Sequence, residues 1–467
     1  AIRMKMAKTA DLKKAPKAFK SAQGVGKQFK TNKAIIQVFT EDCCGCTLCV
    51  NVCPSKDKAL KMIANNDALR RQEAANVKFD LRLPEVENKK IDISTVKGSQ
   101  LKRPLMEFSG ACAGCGETPY IKLATQMFGD RMMIANATGC SSIYGGNLPT
   151  TPYAKRGDGR GPAWANSLFE DNAEFGLGMR AAINKLTSQA VELMDKAVAA
   201  KIVPKKMAND ILNATQTTQM DIEAQRERVG KLKSTLGGND NVIAKRLMPV
   251  ADYLVKKSCW IFGGDGWAYD IGYGGVDHVL ASGENVNILV MDTEVYSNTG
   301  GQTSKATPLG ASAKFSIAGK KTPKKNLAMQ AISYGTVYVA QIAMGAKDVQ
   351  SLKAIQEAQA FDGPSLIVAY SHCGEHGYDL KDGAKQQAKA VETGYWPLFR
   401  FDPAKPKGKK FRLDSMSPSA PLEDFMYNEA RFTRVVKENS SFAKELLTEA
   451  QEMVDSQWER LELYKDM

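Results

Sequence analysis

The chain has 467 residues, of which 43% are hydrophobic and 25% charged, and its formal net charge is +13. This composition indicates a globular protein and excludes global disorder, and the lack of a long apolar run excludes an integral membrane protein. The first 33 residues carry ten Lys and Arg and a single acid, Asp11. Because the sequence shows no motif in which basic and aromatic residues interleave, nucleic acid is a disfavoured partner. The segment is either a solvated connector or a landing surface for an acidic protein.

A cysteine motif follows the basic segment and a short strand predicted at 35–39. Cys43, Cys46, Cys49 and Cys53 precede Pro54 in the pattern C-x2-C-x2-C-x3-C-P. This is the iron–sulfur run of bacterial ferredoxins, in which the fourth cysteine ligates the second cluster of two-cluster proteins. The sequence contains one such run, so we expect either a preceding polypeptide or a reorganised local fold to complete the cluster ligands.

Four further cysteines lie far apart, in loop-like segments rich in small residues. They are Cys112, Cys115, Cys140 and Cys373. The C-x2-C pair that Cys112 and Cys115 form is compatible with zinc, with redox chemistry or with no function. The spacing alone leaves open whether the four thiols converge on one cluster. Cys259, within an apolar strand, is predicted to be a buried structural residue.

From residue 108 the pattern changes to strands that alternate with helices, which predicts an α/β fold with a parallel, doubly wound sheet. Apolar strands are predicted at 132–135, 259–262, 286–291, 336–342 and 365–370, and helices over 169–194, 206–236 and 268–280. Because ligands of such sheets bind at the carboxyl ends of the strands, we expect the loops that follow these strands to share one edge.

These patterns divide the chain into four parts. Residues 1–66 are predicted to form a partial ferredoxin-like iron–sulfur domain with its basic connector, and residues 67–107, with alternating charges and little periodicity, a linker. Residues 108–400 are predicted to form the α/β domain. Residues 401–467 are predicted to form a C-terminal arm that ends in two amphipathic helices.

A glycine-rich turn follows the strand at 259–262. Gly264, Asp265 and Gly266 end the strand and open a helix, an arrangement that brings backbone N–H groups close to a pyrophosphate. A packing turn has the same pattern, so this turn alone is weak evidence. The next apolar strand is followed by the segment 292–302, and the two segments together resemble the thiamine diphosphate motif.

That motif also implies a magnesium site. In it, Mg²⁺ is bound by the aspartate carboxylate, a side-chain oxygen and a backbone carbonyl two residues later. Here these ligands would be Asp265, Thr293 and the carbonyl of Val295. A carboxylate, a hydroxyl and a carbonyl suit a hard cation.

A thiamine motif, a ferredoxin-like cysteine run and four scattered cysteines occur together in one family. Over essentially its whole length, the chain resembles the C-terminal part of pyruvate:ferredoxin (flavodoxin) oxidoreductases. The resemblance is carried by Cys112–Tyr120, Thr138–Ser141, Gly263–Trp267, Thr293–Gln302 and Tyr370–Cys373.

The resemblance implies roles for particular residues. Cys112, Cys115, Cys140 and Cys373 would bind a proximal [4Fe–4S] cluster. Glu117 and the Cys140 loop would flank thiamine diphosphate, Asn298 would reach the 2-oxoacid, and Glu117 and Asn298 are the predicted catalytic residues. The diphosphate and its Mg²⁺ would be held by Gly264, Asp265, Gly266, Trp267, Thr293, Val295, Tyr296, Ser297 and Asn298.

The resemblance also implies an activity. It is the oxidative decarboxylation of pyruvate with coenzyme A to acetyl-CoA and CO₂, with electrons passing through [4Fe–4S] clusters to ferredoxin or flavodoxin. The family's N-terminal substrate-binding domain is not found in this sequence, so we expect a separate or cleaved polypeptide to supply it. The complete enzyme is expected to be a homodimer. It is expected in the cytoplasm, or in a hydrogenosome or mitochondrion-like organelle of a eukaryote.

Three other functions are compatible with parts of the sequence. One is another 2-oxoacid:ferredoxin oxidoreductase, because the substrate-selective residues of the family mostly lie elsewhere. A second is an electron-transfer fragment that has no catalysis of its own, which the intact Asp265, Thr293 and Asn298 disfavour. The third is an iron–sulfur protein that binds nucleic acid, whose mark would be a steep salt dependence of DNA binding.

Overall fold

The computed structural model describes residues 1–86, 90–146 and 150–466. Residues 87–89 of the predicted linker, residues 147–149 of the α/β domain and the last residue of the arm lie outside the described residues. The strands are β1 Ile2–Lys8, β2 Ala22–Gln23, β3 Asn32–Val38, β4 Met132–Ala137, β5 Ala163–Ser167, β6 Ser258–Gly264, β7 Asn287–Asp292, β8 Tyr338–Ile342, β9 Ser365–Tyr370, β10 Phe399–Phe401 and β11 Phe411–Leu413.

The helices lie between and beyond these strands. They are α1 Leu48–Asn51, α2 Asp67–Arg82, α3 Val96–Gln100, α4 Thr118–Phe128, α5 Cys140–Gly145, α6 Asn172–Ala199, α7 Lys205–Leu212, α8 Gln219–Leu236, α9 Val242–Leu247, α10 Tyr273–Ala281, α11 Leu327–Ile332, α12 Asp348–Ala360, α13 Gly383–Glu392, α14 Glu423–Met426, α15 Ala430–Glu438 and α16 Ser440–Leu463. Within the described ranges, none of these helices has both the length and the apolar character that a membrane span needs.

The main sheet has eight strands in the order β11-β10-β8-β9-β7-β6-β4-β5. The strands from β4 to β9 pair in parallel, which confirms the predicted α/β fold class. Side chains alternate between the two faces of β7: Ile288 and Val290 enter one core cluster, and Leu289 and Met291 enter another. Both faces are therefore covered, as in a doubly wound sheet. The antiparallel hairpin of β10 and β11 extends one edge and was not predicted.

The long helical region between β5 and β6 forms a core of its own from α6 to α9. The sequence predicts one polar helix over 206–236, but the structure has two, α7 and α8. The chain leaves α7 at Asn213, and Thr218 starts α8 by accepting a hydrogen bond from the Asp221 N–H. Because Asp221 also bonds back to the Thr218 N–H, this capping box begins a new helix and explains the break.

The prediction of a basic connector is wrong for residues 2–8. They form β1, which pairs antiparallel with β3 over the whole length of both strands. Met4 and Met6 alternate with Arg3 and Lys5, and this period of two is that of a strand with one buried face. Met6 packs in a small core with Phe29 and with Leu101, a residue of the predicted linker.

The prediction of a linker is wrong for residues 67–82, which form α2. Asn66 caps this helix by accepting a hydrogen bond of 2.9 Å from the Leu69 N–H. Its buried carboxylate Asp80 lies 3.4 Å from Lys5 Nζ, and Glu73 accepts a hydrogen bond from Gln37 of β3 at 2.8 Å. The cap, these polar contacts and the packing of Phe79 against a small apolar cluster hold this helix on the small sheet.

Candidate active site

A cleft lies at the carboxyl ends of β4, β6 and β7, where the fold class predicts a ligand site. The residues that line it are Glu117, Thr138, Gly139, Cys140, Ser141, Phe169, Gly264, Asp265, Gly266, Trp267, Val295, Tyr296, Ser297, Asn298 and Thr299. One cleft therefore brings together most of the residues that the thiamine motif singles out.

Three oxygen atoms that are predicted to bind Mg²⁺ converge beside this cleft. Thr293 Oγ1 lies 2.9 Å from Asp265 Oδ1 and 3.0 Å from the carbonyl oxygen of Val295. Asp265 is 1% exposed, and its second carboxylate oxygen accepts a hydrogen bond of 2.6 Å from Ser304. A carboxylate, a hydroxyl and a carbonyl in contact with one another are the donor types that Mg²⁺ prefers, so these residues fit the ion.

The charges around these oxygens also fit a cation. Burial, and then the nearby Asp292, raise the pKa of Asp265 to about 8. Lys324 Nζ compensates the two neighbouring acids, since it lies 2.8 Å from Asp292 and 3.2 Å from Glu294. Burial opposes ionisation of Glu294, but Lys324 and Arg431 outweigh it and lower its pKa to about 2. The negative charge of Asp265 is therefore less well compensated by its neighbours than that of Glu294. A divalent cation would stabilise the ionised form of Asp265.

Two glycines leave bare backbone along the cleft. A Cβ atom added at Gly139 would have no neighbour within 4 Å, and one added at Gly264 would be 3.8 Å from the nearest atom. Packing therefore does not explain these glycines, whereas the close approach of a diphosphate would. Gly266 differs, because a Cβ there would lie 2.5 Å from the ring of Tyr296. The Trp267 ring, in turn, fills the space that a side chain at position 263 would occupy.

Glu117 lies between the cleft and the cysteine loops. It is 3% exposed, and its carboxylate accepts a hydrogen bond of 3.0 Å from the Tyr144 hydroxyl. Its backbone N–H lies 3.4 Å from Cys115 Sγ. Burial raises the pKa of Glu117 to about 7, so this carboxyl changes charge near neutral pH. A group with such a pKa is suited to hold or release a proton at the cleft.

Glu117→Gln should remove a pH-dependent loss of stability from the cofactor-free protein. The pKa of Glu117 is raised from 4.5 to about 7 on folding, so its stabilising proton is fully bound below the unfolded value and is lost as the pH rises through 7. Glutamine keeps an acceptor for Tyr144 but cannot ionise. The variant should therefore gain about 3 kcal/mol of stability over the wild type between about pH 5 and pH 8. Urea unfolding at the two pH values measures this gain. Glu227→Gln, at an exposed position of α8, is the control, and equal gains in both variants would contradict the assignment.

Cys140 connects the cleft with the other predicted cluster ligands. Its sulfur lies 3.2 Å from the hydroxyl of Ser297, and Asn298 also contacts it through a side-chain hydrogen bond. Cys112 interacts electrostatically with Cys140, and Cys140 interacts in the same way with Cys373. Burial raises the pKa of the Cys140 thiol to about 11 and that of Cys373 to about 12.

Cys115 completes this group, since its pKa is raised by burial and then by Glu117 and Cys373. The four thiols thus lie in one region: on the loop that precedes α4, at the first residue of α5 and on the loop that follows β9. His372 joins two of these loops: its Nε2–H donates to the Gly114 carbonyl at 2.9 Å, because Gln387 occupies Nδ1 at 3.0 Å. Across residues 1–86, 90–146 and 150–466, however, no three His, Cys, Asp or Glu side chains are close enough to form a metal-binding group.

The ferredoxin-type cysteine run lies beside this region. Cys43 is exposed, and Cys46, Cys49 and Cys53 are half-buried, with Cys49 inside the short helix α1. Asn51 of the same helix donates a hydrogen bond of 2.9 Å to the carbonyl of Lys381.

The segment around Lys381, which bonds to α1, also contacts the loop that carries Cys112 and Cys115. Leu380, the neighbour of Lys381, is so close to Gly114 that a Cβ added at Gly114 would lie 2.9 Å from the Leu380 Cβ. Gly114 lies between Cys112 and Cys115. The run and the four scattered cysteines are therefore separated by one packed segment of chain.

Several residues at the site carry no signal in the sequence. Lys324 belongs to a lysine-rich stretch whose composition is typical of an exposed segment. Its ammonium group nevertheless pairs with the buried Asp292 and Glu294. His376 donates from Nε2 to the Thr293 carbonyl at 2.8 Å, and burial lowers its pKa to about 3. Tyr395 donates a hydrogen bond of 2.6 Å to Glu294. These three lie far from the thiamine motif in sequence, so no local pattern identifies them.

Comparisons with known proteins find a matching family and several relatives. Residues 245–369 match the family "Thiamine pyrophosphate enzyme, C-terminal TPP binding domain". The chain is 53% identical to a pyruvate-flavodoxin oxidoreductase of Nostoc sp. and 54% identical to that of Rhodospirillum rubrum, in each case over 98% of this chain and 39% of the relative. It is 48% identical to the pyruvate:ferredoxin oxidoreductase of Moorella thermoacetica, over the whole of this chain and 40% of that protein.

The resemblance that the motifs indicate is therefore confirmed for nearly the whole chain, and the chain spans about two fifths of the length of these relatives. A solved structure, a 2-oxoglutarate:ferredoxin oxidoreductase from Magnetococcus marinus, aligns with 57% of this chain and 65% of its own. Its sequence identity is 16% and its TM-score 0.34, so this alignment supports no conclusion about fold or substrate.

Proposed function

We propose that this chain forms the thiamine diphosphate and electron-transfer part of a pyruvate:ferredoxin or pyruvate:flavodoxin oxidoreductase. The observation that carries the proposal is the contact of the Asp265, Thr293 and Val295 oxygens beside a cleft with bare glycine backbone. The similarity to pyruvate-flavodoxin oxidoreductases over 98% of the chain supports the same conclusion.

Thiamine diphosphate, when bound, supplies the carbanion chemistry that decarboxylates a 2-oxoacid. The chain's own residues bind and orient it. Asp265, Thr293 and Val295 would hold Mg²⁺, and the backbone at Gly264 would approach the diphosphate without hindrance. Glu117, buried and close to neutral pKa, would hold or release a proton at the cleft. Asn298 lines the same cleft and would contact the 2-oxoacid.

The cysteines would carry the electrons away. We assign a proximal [4Fe–4S] cluster to Cys112, Cys115, Cys140 and Cys373, because their thiols lie in one region and thiolates are the usual ligands of such clusters. Cys140 lines the cleft and contacts Ser297, which supports a cluster close to the bound cofactor. Binding of iron would displace protons from these thiols, whose pKa values burial raises.

The cysteine run would hold the next cluster on the way to the electron acceptor. Cys43 is exposed, Cys46, Cys49 and Cys53 are half-buried, and Asn51 of α1 bonds to the Lys381 carbonyl. An acidic ferredoxin or flavodoxin would meet the basic surface of residues 1–33 close to this run.

The remaining parts of the activity depend on polypeptide that the relatives contain beyond this similarity. We propose that an N-terminal remainder supplies further substrate-binding groups, that coenzyme A receives the acetyl group, and that the complete enzyme is a homodimer in the cytoplasm or in a hydrogenosome-like organelle. In this proposal the 467-residue chain on its own does not oxidise pyruvate.

Anaerobic turnover tests the proposal. The protein is expressed with and without the remaining segments of its gene, and the reduction of ferredoxin or a viologen dye is followed with pyruvate, coenzyme A and Mg²⁺. We expect reduction that depends on all three in the complete protein and none with the chain alone. Acetyl-CoA formed by the isolated chain would refute the need for a remainder. Turnover of 2-oxoglutarate but not of pyruvate would show that the proposed substrate is wrong. A complete protein that binds no thiamine diphosphate would overturn the proposed function.

A further inference from the structure

The C-terminal arm reaches the Mg²⁺ loop through one buried arginine. Arg431, in α15, is 1% exposed. Its Nη2 lies 2.7 Å from the carboxylate of Glu294, and its Nε donates a hydrogen bond of 2.6 Å to Glu429. The carbonyl of Arg431 also accepts a hydrogen bond of 2.7 Å from the Ser312 N–H. Both ends of this residue are therefore held in a region without solvent.

Glu294 is the residue between two predicted Mg²⁺ ligands, Thr293 and Val295. Its φ is +62°, in the left-handed region that residues with a side chain rarely adopt. The surroundings must enforce such a conformation, because an unrestrained chain would leave it. The Glu294 carboxylate forms ion pairs with Arg431 at 2.7 Å and Lys324 at 3.2 Å, and it accepts a hydrogen bond of 2.6 Å from Tyr395.

The residues on either side of Glu294, Thr293 and Val295, carry two of the predicted Mg²⁺ ligands. A rotation of the Glu294 backbone would move the Thr293 hydroxyl and the Val295 carbonyl relative to Asp265. We propose that Arg431 is a positioning residue, which holds Glu294 in its left-handed conformation and so fixes the loop that binds Mg²⁺ and the diphosphate. This inference rests on the proposed function, since it needs the Mg²⁺ site to exist.

A purely structural role is the rival explanation. The same helix buries Phe432 and Val435 in the main core, so a change at Arg431 could loosen the arm without any effect on the loop. The two roles differ in their readouts. Loosening of the arm lowers the melting temperature but leaves the Mg²⁺ dependence of the folded protein unchanged. Loss of positioning raises the Mg²⁺ concentration that cofactor binding requires.

The test uses the full-length protein and the variant Arg431→Lys. Lysine keeps the buried positive charge, but its single ammonium group cannot bridge Glu294 and Glu429 as the planar guanidinium does. Binding of thiamine diphosphate is followed by tryptophan fluorescence and calorimetry while Mg²⁺ is varied. We expect the half-saturating Mg²⁺ concentration to rise about 10-fold or more, as for other groups that orient metal ligands. Arg434→Lys, at an exposed position of the same helix, is the matched control and should keep the wild-type value.

A second pair of variants shows whether the effect passes through Glu294. Glu294→Gln should raise the half-saturating Mg²⁺ concentration by a similar factor, and the double variant should be little worse than the worse single one. Glu294→Gln carries the test alone if Arg431→Lys yields no folded protein. A wild-type Mg²⁺ requirement in Arg431→Lys, or fully additive effects, would overturn the inference and leave the proposed function standing. A wild-type protein that binds no thiamine diphosphate with Mg²⁺ would overturn both.

Discussion

Replacement of Asp265 by Asn should weaken Mg²⁺-dependent binding of thiamine diphosphate at least about 100-fold, because a direct ligand matters more than the groups that only orient one. Asparagine keeps the shape and an acceptor for Ser304, so the fold should persist. It lacks the negative charge that a hard divalent cation requires. Calorimetric titration of the full-length protein with thiamine diphosphate, at several Mg²⁺ concentrations, measures the loss.

The pH dependence of the same titration adds an independent check. The pKa of Asp265 is about 8 without a bound cation, and Mg²⁺ binds the ionised form. Mg²⁺ affinity of the wild type should therefore rise with pH up to about 8 and then level off, whereas Asp265→Asn should lack this rise. Asp277→Asn is the control, because Asp277 lies on α10, beyond the cleft, and bonds to Tyr334. Equal Mg²⁺ dependence in wild type and Asp265→Asn would refute the site.

Cys373→Ser should remove one [4Fe–4S] cluster and with it nearly all electron output. A serine hydroxyl is neither ionised at neutral pH nor a soft ligand, so it does not replace the thiolate on iron. We expect about four fewer iron atoms per chain and loss of pyruvate-dependent dye reduction. Thiamine diphosphate binding should persist, because Cys373 does not line the cleft. Iron and sulfide analysis and electron paramagnetic resonance of the reduced protein measure the change.

Two other cysteines sharpen this experiment. Cys259→Ser is the matched control, because Cys259 is not a predicted cluster ligand. It is buried in β6, with its sulfur 3.5 Å from the Gly176 carbonyl. It should keep the full iron content. Cys49→Ser should instead remove the cluster of the ferredoxin-type run and spare the proximal signal. A Cys373→Ser protein with unchanged iron would contradict the assignment of Cys373 as a ligand.

The α/β fold and the core of the candidate site could be predicted from the sequence. Strands β6 and β7 are short, continuous apolar runs, and such runs separated by helices specify a parallel sheet. Asp265 and Thr293 directly follow these two strands. Since β6 and β7 are neighbours in the sheet, their carboxyl ends lie side by side, and this places the two side chains in contact. Local pattern and strand order are enough for this part.

The N-terminal part could not be predicted from the same signals. The charge of residues 1–33 suggested a connector, although the alternation in Ile2–Lys8 is that of a strand. Helix α2 has little apolar periodicity, and it is held by its Asn66 cap, by polar contacts with β1 and β3 and by the packing of Phe79. Such contacts depend on partners from other segments, and a reading of local hydrophobic pattern does not find them.

The sequence by itself determined which groups are predicted to provide the chemistry: the glycine turn, the Asp265 carboxylate, the Thr293 hydroxyl and the cysteines. Only the tertiary structure decided which charges compensate one another. Lys324 comes from a lysine-rich stretch and Arg431 from the C-terminal arm. Both pair with Glu294 in the interior. The reason is that burial strengthens electrostatic interactions between groups that the fold brings together, whatever their separation in the chain. Short sequence motifs therefore predict the reactive groups, whereas the charges that surround those groups depend on the fold.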